Sequence, residues 1–161
     1  MTDWIDPVRV IPHNKRPMDC TLALLADAAN VSQEGKLNVL GAFANINTRA
    51  VPTVHPNMTL VLRFEASAAE AGESKRVQAL LLDADGARQE GAGFEARFEV
   101  PPPQAGRRIR MHTIVNLVGT RFEREGDYQL AILINGDQKA EIPLSVTVIR
   151  PEEATPHDAS N

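Results

Sequence analysis

Four histidines are the residues of this sequence best suited to acid–base or metal chemistry. His13, His55, His112 and His157 lie far apart and lack the close spacing of a zinc site. His13 and His157 fall in the terminal segments, which leaves His55 and His112 as candidates, with a carboxylate such as Asp27. We expect His55 in a connecting loop and His112 on a strand face, and we therefore predict no metal site.

The candidates for nucleophilic catalysis are equally weak. Cys20, the single cysteine, begins an apolar run, where a thiol has a raised pKa and stays inert. No serine lies in a Gly-x-Ser-x-Gly motif. Residues 83–86 (Asp-Ala-Asp-Gly) resemble the start of a calcium loop, but Arg88 occupies the glycine position of that loop, and a hairpin turn explains the same residues. We predict no catalytic residue and no cofactor.

Arginines form the only basic concentration in the sequence. They are Arg107, Arg108, Arg110, Arg121 and Arg124. Arginine suits contacts with phosphate or with an acidic partner. A nucleic-acid-binding sheet, however, interleaves aromatic residues for stacking, and most of the few aromatic residues here are needed for the core. The net charge of −4 also disfavours a nucleic-acid binder. We therefore expect these arginines to form a solvated face, with contact to a protein or an anion as the alternative and nucleic acid as the least favoured one.

The N-terminal segment carries a second candidate for an interaction. Trp4 is the lone tryptophan, and residues 7–12 could add a short strand to the edge of a sheet, its own or a neighbour's. The segment contains no uninterrupted apolar stretch typical of a secretory signal, and no run of 18 apolar residues occurs anywhere. We therefore predict a cytoplasmic protein that does not contact a membrane.

The elements that must position these residues are strands. The chain has 161 residues, of which 43% are hydrophobic, enough for one domain with its own core. We predict an N-terminal arm (1–17), a folded domain (18–150) and a disordered acidic tail (151–161). Apolar alternation and turn residues predict eight strands, at residues 20–26, 36–44, 58–65, 75–83, 94–100, 108–118, 128–134 and 139–149.

Three local signals sharpen the fold prediction. Asn135-Gly136 is a strong hairpin signal, Pro143 marks an edge or bulged strand, and Gly126-x-Tyr128 is typical of a tyrosine corner. The small residues 66–74 could form one helical turn. We predict an all-β fold, a single immunoglobulin-like antiparallel β-sandwich of about seven to nine strands.

Two groups of residues carry a resemblance over most of the chain, from about residue 18 to residue 149. Their order and spacing resemble an uncharacterised bacterial domain-of-unknown-function family. The first group is Asp27, Gly35, Lys36, Leu37, Gly41, Phe43, Pro52 and Pro56, and the second is Phe122, Gly126 and Tyr128. The resemblance implies a compact β-sandwich that stands alone in a bacterial cytoplasm. It implies no established activity, and hence no functional residues.

We predict a non-catalytic binding or assembly module that associates with a protein partner or with itself through a strand edge or a sheet face. Two alternatives remain. One is a small ligand-binding protein or enzyme that uses His55 and His112. The other is weak anion or nucleic-acid binding through the arginines of residues 107–124.

Overall fold

The structure, a computed structural model, describes residues 17–105 and 107–151. Nine strands account for most of them: β1 (Asp19–Val31), β2 (Leu37–Phe43), β3 (Asn45–Thr48), β4 (Thr53–Ala66), β5 (Ser74–Asp83), β6 (Arg88–Glu99), β7 (Ile109–Phe122), β8 (Gly126–Ile134) and β9 (Asp137–Val148). One 3₁₀ turn, Ala68–Glu70, lies between β4 and β5. The predictions for Trp4, for most of the N-terminal arm and for all but the first residue of the tail fall outside the described residues.

The strands form two sheets packed face to face. The four-stranded sheet has the order β2-β1-β4-β7, and the five-stranded sheet has the order β3-β9-β8-β5-β6. All neighbouring strands are antiparallel except β3 and β9, which are parallel. Ala44 alone separates β2 from β3, so the chain passes from one sheet to the other at this point, and the Ala44 carbonyl accepts a hydrogen bond from the N–H of Ser145 at 2.9 Å. The all-β sandwich prediction is confirmed.

The core lies between the sheets and follows the period-two alternation of the strands. In β4, the alternate residues Met58, Leu60, Leu62 and Phe64 are all at most 1% exposed. In β6, half-buried and exposed positions alternate from Gly91 to Glu99, as predicted for residues 94–100.

Local signals in the sequence produce the predicted turns. The hydroxyl of Tyr128 donates a hydrogen bond to the carbonyl of Arg124 at 2.8 Å, which completes the tyrosine corner. Asn135 and Gly136 both have positive φ, as the hairpin between β8 and β9 requires. Pro143 lies in the part of β9 that β3 does not pair, so the missing N–H costs no ladder hydrogen bond on that side.

Two strands are longer than the turn-forming residues suggest. β1 continues to Val31, because β2 pairs with its second half and the side chains of Asn30 and Asn38 are joined by a hydrogen bond of 2.8 Å. β4 begins at Thr53, because β7 pairs with it there despite the flanking prolines. The prediction that His55 lies in a loop is therefore wrong. The four-residue strand β3 was not predicted, since its stability comes from its pairing with β9.

Candidate interaction surface

The four-stranded sheet differs in character between its two ends. At one end, β1 begins, β4 ends and β7 begins; we call it the arginine end, and it comprises Arg63, Glu65, Arg107, Arg108, Arg110 and His112. At the other end, β1 ends and β4 begins; we call it the apolar end, and it comprises Val31, Val39, Leu40, Val54 and Val118. Val39 and Leu40 are consecutive in β2, so they project from opposite faces of the sheet.

Glu65 organises the arginine end. Arg110 lies opposite it in the ladder and donates from Nε to Oε1 of Glu65 at 3.2 Å. Arg108 donates from Nη2 to the main-chain carbonyl of Glu65 at 3.1 Å, and its Nε lies 3.6 Å from Oε2. A cleft of about 650 Å³ opens beside these side chains and is also lined by Arg107 and Pro101. Two arginines thus contact one carboxylate, and Arg107 lines the same cleft. With Arg63 added, four arginines outnumber Glu65 and its ladder neighbour Asp19, which leaves this end positively charged.

His112 lies within this positively charged end. Partial burial and the charges of Arg63 and Arg110 lower the pKa of His112 below its ordinary value, which keeps the imidazole neutral at neutral pH. His55 pairs with Thr120, eight residues further along β7, or about 26 Å away at 3.3 Å per residue. Its ring lies 6.0 Å from that of Phe43. The two histidines therefore do not form one acid–base or metal site.

The remaining arginines lie at the opposite end of β7. Arg121 is eleven residues beyond Arg110 on the same strand, a distance of roughly 36 Å, and forms an ion pair with Glu123. Arg124 contributes its main-chain groups to the tyrosine corner. The basic concentration seen in the sequence is thus divided, and only Arg107, Arg108 and Arg110 lie together.

Cys20 lies near the start of β1 and is half-buried. Its Sγ contacts the carbonyl of Leu22 at 3.3 Å, and burial raises the pKa of the thiol to about 11. The thiol is therefore protonated at neutral pH, which confirms the predicted raised pKa.

The apolar end carries most of the large apolar side chains that are exposed in the described residues. In residues 17–105 and 107–151, six large apolar side chains are exposed. Five of these six belong to strands of the four-stranded sheet. Val118 and Leu40 are the most exposed, at 76% and 71%. The sixth, Ile149, follows β9, so the strands of the five-stranded sheet carry none of the six.

The middle of the outward face of this sheet is also apolar. Val61 points away from the core, yet it is fully buried between its ladder neighbours Leu24 and Ile114. The sequence contains a signal for this surface, because β4 and β7 have apolar residues at both alternating positions. We did not predict it, because such runs equally suit a strand that is buried on both faces.

Within the described part of the chain, no group of three or more His, Cys, Asp or Glu side chains is arranged to hold a metal ion. None of its helical segments has the length and apolar character needed to cross a membrane.

A comparison with known protein families shows the family to which this chain is related. A family model matches residues 21–147, most of the chain. The chain belongs to the family of unknown function DUF6941. This confirms the predicted resemblance to a family without an established activity. None of the curated proteins compared matches the sequence.

Two solved structures are similar to the fold at low sequence identity. One is the alkylpurine DNA glycosylase AlkC of Pseudomonas fluorescens, bound to DNA with an abasic site analog; it is 16% identical, with a TM-score of 0.40 over 83% of this chain. The chain spans 31% of the length of that enzyme. The other is an immunoglobulin-like protein of Pseudomonas aeruginosa, 13% identical, with a TM-score of 0.41 over 82% of this chain and 98% of that one. Neither similarity indicates a function for this chain.

Proposed function

We propose that this member of the family is a non-catalytic binding or assembly module, which contacts a protein partner or a second copy of itself through the apolar end of the four-stranded sheet. The observation that carries the proposal is the concentration of exposed apolar side chains on strands of this one sheet. Contiguous exposed apolar surface is typical of interaction sites in soluble proteins.

The energetics suit such a role. Complete burial of a valine or leucine side chain contributes about 1.5–3 kcal/mol, so covering Val118 and Leu40 alone would contribute several kcal/mol to association. The edge strands β2 and β7 border this sheet, and their unpaired main-chain groups could add hydrogen bonds to a partner strand.

We place this module in a bacterial cytoplasm as part of the same proposal. The presence of a single cysteine, Cys20, supports a reducing compartment, because this sequence uses no internal disulfide. The separation of His55 from His112 supports the non-catalytic assignment.

Light scattering on the full chain tests the proposal. We expect Val118→Glu and Leu40→Glu each to reduce the mass of an oligomer, whereas Ile149→Glu serves as the matched control, because Ile149 is 53% exposed but lies outside this sheet. If the full chain is a monomer, the same variants are compared in capture of partners from the host. A monomer whose captured partners are unchanged by Val118→Glu and Leu40→Glu would contradict the proposal.

The N-terminal candidate needs its own measurement. A chain that lacks residues 1–17 removes Trp4 and leaves the apolar end in place. Loss of association in this shortened chain, with the apolar-end variants unaffected, would assign the contact to the N-terminal segment instead.

A further inference from the structure

Two clefts adjoin on the side of the sandwich where the edge strands β6 and β7 face each other. The arginine cleft, of about 650 Å³, is the one already described beside Glu65. The apolar cleft, of about 380 Å³, is lined mainly by apolar residues, which include Phe94, Ala96, Phe98 and Met111. Glu99, His112 and Thr113 are its polar lining residues, so the two clefts together contain three arginines and two glutamates. Both volumes fall within the range of about 300–1,000 Å³ typical of small-molecule sites.

The linings of the two clefts are adjacent along β7. Residues 107–110 line the arginine cleft, residues 111–113 line the apolar cleft, and Pro101 lines both. Since a strand rises about 3.3 Å per residue, the charged and apolar parts lie within about 10 Å of each other. An elongated molecule of modest size can therefore reach both.

The arginine cleft favours an anion. Its lining holds Arg107, Arg108 and Arg110 against the single carboxylate of Glu65. Arg110 is the most accessible of the ion-paired arginines here, with 61% of its side chain exposed. A guanidinium carries five N–H donors in a fork, so Arg110 can hold Glu65 and a second carboxylate at once.

The apolar cleft favours a hydrocarbon group. Phe94 and Phe98 point into the sandwich but are only half-buried, because β6 is an edge strand and β7 does not pair with it. Met111 lines the opposite wall, and its flexible thioether side chain adapts to ligands of different shape.

We propose that the two clefts form one binding site for a small amphipathic carboxylate. Its apolar part lies between β6 and β7 against Phe98 and Met111, and its carboxylate contacts Arg110 and Arg107. The site lies at the opposite end of β7 from Val118, so it is independent of the protein contact proposed above.

Titration calorimetry with decanoate, below the concentration at which it forms micelles, tests the site on the full chain. Decanol and decyltrimethylammonium have the same alkyl chain with a neutral or a cationic head. We expect decanoate to bind at least about tenfold more tightly than decanol, because a charge-assisted hydrogen bond is lost with the carboxylate, and we expect decyltrimethylammonium not to bind.

Two arginines of β7 form a matched pair of variants. Arg110 and Arg121 have side chains 61% and 58% exposed, and each pairs with one glutamate. We expect Arg110→Gln to weaken decanoate binding about tenfold and Arg121→Gln to leave it unchanged. Ala96→Leu fills the apolar cleft and should also weaken binding; circular dichroism checks its fold, and Arg110→Gln remains decisive if Ala96→Leu does not fold.

Three results would overturn the proposal. Decanol could bind as tightly as decanoate, which would remove the role of the arginines. Arg110→Gln and Arg121→Gln could have equal effects, which would place the anion elsewhere. A peptide with a C-terminal leucine carboxylate could bind where decanoate does not, which would make the site one for a protein terminus.

Discussion

Glu70 joins three segments of the chain, and the effect of replacing it with glutamine can be worked out from the structure. Glu70 is 8% exposed, and its carboxylate accepts hydrogen bonds from the main-chain N–H groups of Met18 and Ser67, both at 2.9 Å. Lys75 Nζ donates to the same carboxylate at 2.8 Å. These contacts connect the start of β1, the 3₁₀ turn and the start of β5.

The magnitude follows from the pKa. Burial by itself raises the pKa of Glu70, but the hydrogen bonds from Lys75, Ser67 and Met18 outweigh burial and lower it from 4.5 to about 2. Each unit of pKa corresponds to about 1.4 kcal/mol, so the charged form of Glu70 stabilises the fold by about 3 kcal/mol at pH 7. The same interaction raises the pKa of Lys75, so its contribution to the free energy of unfolding is counted only once, under Glu70.

The pH dependence has a definite sign. Because the pKa is lower in the folded chain than in the unfolded chain, the stabilisation is complete well above pH 4.5 and is lost as the pH falls towards 2. At pH 3 it should have fallen to about 1 kcal/mol.

Urea unfolding of the wild type and Glu70→Gln at pH 7 and pH 3 measures both effects. With a typical dependence on urea for a chain of this size, a loss of about 3 kcal/mol lowers the midpoint at pH 7 by about 1.5 M. Glu73→Gln is the matched control, because Glu73 also pairs with Lys75, at 2.7 Å, but its side chain is 54% exposed. Such an exposed pair contributes at most about 1 kcal/mol.

The reasoning is refuted if Glu70→Gln and Glu73→Gln lower the free energy of unfolding equally at pH 7. It is also refuted if the effect of Glu70→Gln is the same at pH 3 as at pH 7, because the charge of Glu70 would then not be the cause.

Three further predictions concern single side chains. Tyr128→Phe removes the hydrogen bond to the carbonyl of Arg124, and we expect a loss of about 1 kcal/mol in the free energy of unfolding, measured in urea. Gly93→Ala should destabilise the fold by more than about 1 kcal/mol in thermal unfolding, because φ is 128° and the added methyl group would collide with the carbonyl of Ala79. Cys20 should react with iodoacetamide at pH 8 about 100-fold more slowly in the folded chain than in urea, because its pKa is raised from 9.0 to about 11.

Each of these three predictions has a measurable outcome that would contradict it. Gly86 also has positive φ but has no atom within 4 Å of an added methyl group, so equal losses for Gly86→Ala and Gly93→Ala would exclude crowding as the cause. A Tyr128→Phe chain as stable as the wild type would mean that the hydroxyl contributes no more than a water contact. Equal alkylation rates in folded and unfolded chains would show that the Cys20 thiol is accessible and ionises normally.

The sequence predicted the features that depend on local physics. Alternation places Phe94 and Phe98 on one face of β6, because successive side chains of a strand point to opposite sides. Asn135-Gly136 suits a tight hairpin because both residues tolerate positive φ. Tyr128 reaches the carbonyl of Arg124, only four residues away. Such features need no knowledge of distant parts of the chain.

The candidate site could be predicted only in part. Arg107, Arg108 and Arg110 were among the candidate interaction residues named from the sequence, but the apolar cleft beside them depends on β6 and β7 lying in different sheets. The extent of β1 and the position of His55 on β4 depend on pairing with β2 and β7, which outweighs the preference of their residues for turns.

The sequence by itself determined eight of the nine strands, the β8–β9 hairpin, the tyrosine corner and the membership of the family, since these depend on residue type and order. Tertiary structure alone decided which residues meet. It brings Glu70 to Met18, 52 residues away, and Arg110 to Glu65, 45 residues away. It also holds Arg110 roughly 36 Å from Arg121, because an extended strand separates residues that are close in sequence. Alternation assigns a side chain to a face of a sheet, but only the packing of the two sheets decides which face is covered and which remains open to a partner.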